Sequence, residues 1–194
     1  MFTIENNSSK EIIINKSRFI TELIKIKNVD EVNNYLEEIK NKYKDATHYC
    51  YAYIVGSYKK ASDDGEPGGT AGMPILNVLD MNKLTNVLCV VIRYFGGIKL
   101  GAGGLVRAYS KSVSEALEEN NITELKKYYR VEINYMYDFS KDIDYLLKDV
   151  KKVDIKFENN ITFIFDILED SYNNIINKLE RLCVNITVQE EFIA

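Results

Sequence analysis

The chain has 194 residues, with 46% hydrophobic and 28% charged residues and a formal net charge of −4. That composition fits a soluble globular protein of one large or two small domains and argues against a wholesale nucleic-acid coat protein. No stretch approaches the ~20 apolar residues of a membrane helix, no secretory signal opens the chain, and the three cysteines (Cys50, Cys89, Cys183) are too few and too scattered for a disulfide framework. A reducing, cytoplasmic setting is therefore expected.

In chain order, Glu11–Ile14 and Arg18–Ile26 read as strands. The second alternates Phe19, Thr21 and Leu23 against Ile20, Glu22 and Ile24. Val29, Val32, Tyr35, Leu36 and Ile39 recur at helical spacing, with Asp30 near the helix start. Thr47–Val55 is an aromatic and β-branched strand. Ser62–Gly72 is too glycine-rich for an element interior, and Thr70 is positioned to cap a helix running to about Met81, with Pro74 in its first turn. Asn86–Tyr94 has the length and apolarity of a buried strand. Phe95–Gly104 reads as a glycine loop and Leu105–Glu119 as a helix whose inner face is Leu105, Ala108, Val113, Ala116 and Leu117.

All ten glycines and both prolines fall between Gly56 and Gly104, so the unusual backbone is confined there. The second half has neither residue type. It reads strand (Tyr129–Tyr137), helix (Lys141–Val150), strand (Val153–Phe157), turn at Asn159 and Asn160, strand (Ile161–Leu168), helix (Tyr172–Leu182), strand (Val184–Glu190). That β-α-β-β-α-β order is ferredoxin-like. The expected class is α+β, with an N-terminal domain over 1–124 and a ferredoxin-like domain over 127–194.

Charge is unevenly spread. Residues 1–126 carry 16 basic and 16 acidic side chains, whereas 127–194 carry 9 and 13. Residues 81–114 hold no carboxylate but hold Lys83, Arg93, Lys99, Arg107 and Lys111. This basic window coincides with the glycine loop between a buried strand and a helix. The first amides of a helix lack internal partners, and the helix dipole adds partial positive charge there. Glycines let those amides approach a ligand. Arg93, Gly96, Gly97, Lys99, Gly101, Gly103, Gly104 and Arg107 thus form a candidate anion or nucleic-acid site. The opposing reading is a loop that only packs strand against helix, its cations solvated. The string is neither a Walker A loop nor a dinucleotide fingerprint, so no cofactor is expected.

A second loop is acidic. Asp63, Asp64 and Glu66 lie within four residues. They fail the pattern of a calcium loop, and the sequence points to no metal. Turn chemistry explains them, as does pairing across the fold with Arg93, Lys99 or Arg107. His48, the only histidine, lies two residues before Cys50 on one strand face. Cysteine–histidine chemistry or zinc would need further partners. Tyr49, Tyr51 and Tyr53 are able to stack bases if exposed, or to pack a half-buried strand.

Three segments, Thr47–Tyr53 (THYCYAY), Ser62–Gly72 (SDDGEPGGTAG) and Arg93–Tyr109 (RYFGGIKLGAGGLVRAY), resemble the YigZ/IMPACT family. The resemblance is strong over about residues 1–120. Gly69 stands where serine is expected and Met73 where a basic residue is frequent. The resemblance implies an N-terminal domain folded like the second domain of a small-subunit ribosomal protein and domain IV of elongation factor G. It implies a C-terminal domain like domain V of that factor. Eukaryotic relatives inhibit activation of a translation-control kinase through an extra N-terminal domain; this chain starts with the shared domain, so that mechanism is not expected here. The function expected is binding of RNA, the ribosome or another polyanion in translation, rather than catalysis. An enzyme acting on a small molecule or nucleotide and a protein-interaction module are the alternatives. No motif of a DNA sequence reader is present and no membrane partner is expected.

Overall fold

The structure is a computed structural model and describes residues 1–182 and 185–193. Cys183 and the first residue of the strand expected at Val184 lie outside the described residues. The fold class is α+β, and the chain divides into two compact units, Met1–Glu124 and Leu125–Ala194.

In the first unit the elements run β1 (Phe2–Ile4), β2 (Ser8–Ile14), β3 (Ser17–Lys25), α1 (Glu31–Lys42), β4 (His48–Val55), β5 (Tyr58–Ser62), α2 (Gly72–Met81), β6 (Val87–Tyr94), α3 (Gly101–Glu118) and β7 (Ile122–Glu124). Five strands form one antiparallel sheet in the order β2-β3-β6-β4-β5. Side chains alternate across it because the strand repeat is two residues. On β6, Val87, Cys89 and Val91 join the core under α2 and α3, with Phe19, Leu23, Ala52, Leu105 and Tyr109. Leu88, Val90 and Ile92 join a second core under α1, with Ile20, Ile24, Val32 and Ile39. Both faces are covered, which is why β6 is a continuous apolar run.

Tyr49, Tyr51 and Tyr53 lie on the α1 side and pack that core. The Tyr49 hydroxyl donates to the Tyr43 carbonyl at 2.6 Å. Tyr53 is buried in that core, and Tyr49 and Tyr51 are half-buried against it.

Two features lie outside what periodicity reveals. β5 is a largely polar edge strand, closed by a two-residue turn with Val55 opposite Tyr58; Lys59 and Lys60 protect the edge. β1 and β7 are three-residue strands paired with each other, too short to show a pattern. A third difference concerns α3. It begins at Gly101, not Leu105, so the glycine loop ends sooner than expected and Gly101, Gly103 and Gly104 sit in the first helical turn. Packing of Leu105, Ala108, Tyr109, Ser112 and Val113 against the sheet outweighs the poor helix propensity of that turn.

In the second unit the elements are β8 (Lys127–Tyr135), a 3-10 turn (Tyr137–Phe139), α4 (Ser140–Leu146), β9 (Lys151–Phe157), β10 (Ile161–Leu168), α5 (Glu169–Arg181) and β11 (Asn185–Ile193). The antiparallel strand order β11-β8-β10-β9 is the ferredoxin-like arrangement. Its core is Val131, Ile133, Ile143, Leu147, Phe163, Phe165 and Leu179.

Candidate functional site

The acidic loop is explained by backbone donors. Asp63 Oδ1 accepts from the amides of Ala71 (3.0 Å) and Gly72 (2.8 Å), and Oδ2 accepts from Gly69 (2.8 Å). Asp63 therefore satisfies the start of α2 from outside the helix. Thr70 does not cap it: its hydroxyl donates to the Pro67 carbonyl at 2.6 Å, because α2 starts at Gly72, with Ala71 in the capping position. Gly72 is required sterically, since a Cβ there would lie 2.6 Å from the Ser62 amide nitrogen. Asp64 turns its carboxylate to the Tyr49 amide (2.6 Å) and its carbonyl to His48 Nδ1 (2.8 Å). Among the described residues no three acidic, histidine or cysteine side chains are placed to hold a metal ion.

Burial alone would raise the Asp63 pKa, but the three amides overcome it and hold the carboxyl below its ordinary value of 3.8. A group whose folded pKa is depressed stabilises the fold above its unfolded pKa, and that contribution fades as pH falls through the folded value. Asp63→Asn is expected to cost about 2 kcal/mol at neutral pH. Its deficit against wild type should shrink once pH drops below about 4. Urea denaturation at several pH values measures this, and a deficit that does not change with pH would refute it.

The buried centre of the site is on the α2/α3 side of the sheet, where His48 on β4 is registered opposite Arg93 on β6. Arg93 is only 5% exposed. Its Nη1 donates to Glu66 Oε1 at 2.5 Å, and the Tyr109 hydroxyl donates to the same oxygen at 2.8 Å. The guanidinium sits 5.5 Å from the ring centres of both Phe19 and Phe95. Its Nε is buried and has no partner among the described residues. The single Cys50 S–H donates to the Asp63 carbonyl (3.0 Å), with the Tyr109 hydroxyl 3.2 Å from the same sulfur. Burial pushes the Cys50 thiol up to about 12 and raises the Tyr109 hydroxyl and Cys89 as well. The thiols stay protonated and Tyr109 is a neutral donor, so a cysteine nucleophile activated by His48 finds no support.

This overturns one expectation in part. Arg93 does not present its charge to solvent; it is matched by Glu66, one of the acids expected to reach across the fold. Of the remaining loop cations Lys99 shares a cleft with it and Arg107 does not. Lys99 borders a cleft of about 360 Å³ together with His48, Arg93, Phe95, Gly101 and Ala102. Arg107 borders a neighbouring hollow of about 290 Å³ with Asn15, Gly104 and Lys111. Leu100 lines both. Among the described residues neither Lys99 nor Arg107 has an acidic partner within 4.0 Å.

The glycines divide by role. Gly96 packs against the backbone of Lys16 at the β2–β3 turn, and its amide donates to Ser17 Oγ at 3.1 Å. Gly97 and Gly101 hold positive φ (85° and 70°) in open space. Gly103 lies beside the Arg107 side chain and Gly104 against Leu100. Two site residues carried no local signal as such. Lys16 reaches the site only because β2 and β3 pair and Gly96 admits their turn. Tyr109 has only its spacing, four residues after Leu105 on the buried helix face.

The description "Impact N-terminal domain" matches residues 15–117. The chain is 49% identical over 128 residues to "IMPACT family member YvyE" of Bacillus subtilis (strain 168), covering 64% of this chain and 59% of that protein. It is 42% identical over 111 residues to "IMPACT family member YigZ" of Escherichia coli (strain K12), covering 55% and 54%. The matches thus span between one half and two thirds of these relatives. A crystal structure of a hypothetical protein superposes with a TM-score of 0.65 at 29% identity, covering 97% of each chain.

Proposed function

Because the chain belongs to the Impact N-terminal domain family, we propose that it is a translation-associated binding protein that engages RNA, free or on the ribosome, through the outer face of α3 and the β2–β3 turn. The observation that carries this reading is that Arg107 and Lys111, both exposed, line one hollow with Asn15, the residue before the exposed Lys16 in the β2–β3 turn. Lys16 and Arg107 lack acidic partners among the described residues. Lys111 has only an exposed 3.6 Å pair with Glu115, which a phosphate can displace at small cost. The acidic excess resides in residues 127–194, whereas residues 81–114 hold five cations and no carboxylate. The cytoplasm is the compartment that this role implies. Among the described residues no helix is long and apolar enough to cross a membrane.

Fluorescence anisotropy with a single-stranded RNA tests the proposal. Three engaged phosphates predict a log–log salt slope of roughly −2. Arg107→Glu should weaken binding at least about tenfold, since it removes one favourable contact and adds a repulsive charge. Lys83→Glu serves as a control. Lys83 comes from the same carboxylate-free window but precedes β6, at the opposite end of the strand from Arg93, so its reversal should leave binding unchanged. Equal effects of the two reversals, or RNA binding insensitive to salt, would sink the proposal.

A further inference from the structure

The second unit leaves a strand edge open. In the order β11-β8-β10-β9 the terminal strand β9 pairs with β10 on one side only, and all seven of its residues are exposed. Three of them are apolar: Val153 is 43%, Ile155 42% and Phe157 64% exposed. An exposed apolar edge is a template for a further strand. We propose that the occupant is β9 of a second copy of this chain, paired antiparallel about a two-fold axis at Ile155. The two four-stranded sheets then continue as one.

Charge selects both the occupant and the register. With the axis at Ile155, Asp154 of each copy stands opposite Lys156 of the other, and Lys152 stands opposite Glu158. Ile155 meets its own counterpart and Val153 meets Phe157, so no like charges face each other. Neighbouring registers lack this match. An axis at Asp154 sets Asp154 against itself and Lys152 against Lys156; an axis at Lys156 sets Lys156 against itself and Asp154 against Glu158. A slip of one residue sets charged side chains against apolar ones. Parallel, in-register pairing would set every lysine against itself. The lysines of β9 therefore oppose other pairings while they favour this one. The edge strand β5 differs: it carries Lys59 and Lys60 and offers a second copy no carboxylate.

The backbone and the core support the same axis. The Ile155 amide donates to Asp154 Oδ1 at 2.9 Å, a local bond of the kind that competes with the strand ladder. Pairing about Ile155 brings that amide to the carbonyl of Ile155 in the second copy and the reverse, which frees the Asp154 carboxylate for Lys156. Ile155 and Phe157 are registered with Phe163 and Ile161, both buried in the core of this unit. Association would thus extend that core across the axis, with Asp154 and Lys156 on the opposite face of the sheet.

Sedimentation velocity of the full chain over a concentration series tests the proposal. A contact made by one strand edge is small, so a dissociation constant of about 10–100 µM is expected. Asp154→Lys sets lysine against lysine at both symmetry-related positions and should weaken association at least about tenfold. Lys156→Asp should do the same by setting carboxylate against carboxylate. Asp154→Lys combined with Lys156→Asp restores the opposite-charge pairs and should return within about threefold of wild type. Both positions are exposed, and urea denaturation verifies that each variant folds. A chain that stays monomeric to about 500 µM, association indifferent to Asp154→Lys, or a double variant no better than the single ones would overturn the assignment.

Discussion

Arg93→Ala is expected to destabilise the first unit by about 3–5 kcal/mol, because it leaves Glu66 charged in a buried site with one neutral donor. That is a large share of a typical folding free energy of about 5–15 kcal/mol. Glu66 is only 8% exposed, and the Tyr109 hydroxyl would be its remaining partner. The cost comes from the stranded charge and not from the strength of the pair. Arg93→Met combined with Glu66→Leu should therefore recover most of the loss, since two apolar side chains can fill the space beneath Phe19 and Phe95. Tyr109→Phe removes one of two donors to Glu66 and should cost about 1–2 kcal/mol. Urea denaturation ranks the variants. A single Arg93→Ala variant within about 1 kcal/mol of wild type, or a double variant worse than the single, would show that the pair does not bear on stability in this way.

Gly96→Ala should be nearly as damaging. A Cβ at this position would lie 2.0 Å from the Lys16 carbonyl carbon and 2.1 Å from its oxygen, far inside the ~3.5 Å of ordinary contact. Neither side can yield easily. The turn is held by the β2–β3 ladder, where Ile14 is registered with Ser17. The loop is held by the Gly96 amide on Ser17 Oγ and the Phe95 amide on Thr47 Oγ1. A loss of about 3 kcal/mol or more is expected. Displacement of the β2–β3 turn, whose Asn15 lines the hollow with Arg107, should also weaken RNA binding. Gly97→Ala offers the contrast: its φ is 85° but nothing lies within 4 Å, so only backbone strain of about 1–2 kcal/mol applies. If the two alanine variants unfold at the same urea concentration, close approach at Gly96 is not the reason for that glycine.

Local pattern carries most of the fold. The alternation of Phe19, Thr21 and Leu23 against Ile20, Glu22 and Ile24 places β3 between two cores, and the apolar run of β6 requires cover on both faces. The order of elements after residue 127 and the glycine punctuation around Asp63 and Gly96 were also legible, because strand and helix periods and turn chemistry act between near neighbours. β5 is the exception, since a polar edge strand carries no apolar period.

The site depended on contacts between distant segments. Arg93 and Lys99 are six positions apart in one basic window, yet the side-chain direction of β6 turns Arg93 inward to Glu66, 27 residues earlier, while Lys99 stays at the surface. Asp63 rather than Thr70 satisfies the start of α2 because the loop folds back upon it. Asn15 joins Arg107 only through strand pairing. The amino-acid sequence by itself determined which segments become strands and helices and where the backbone is unusual. Which cations meet a carboxylate and which remain open to a ligand was decided by tertiary structure, since Coulomb pairing depends on distance in space and burial, and neither is encoded in sequence separation.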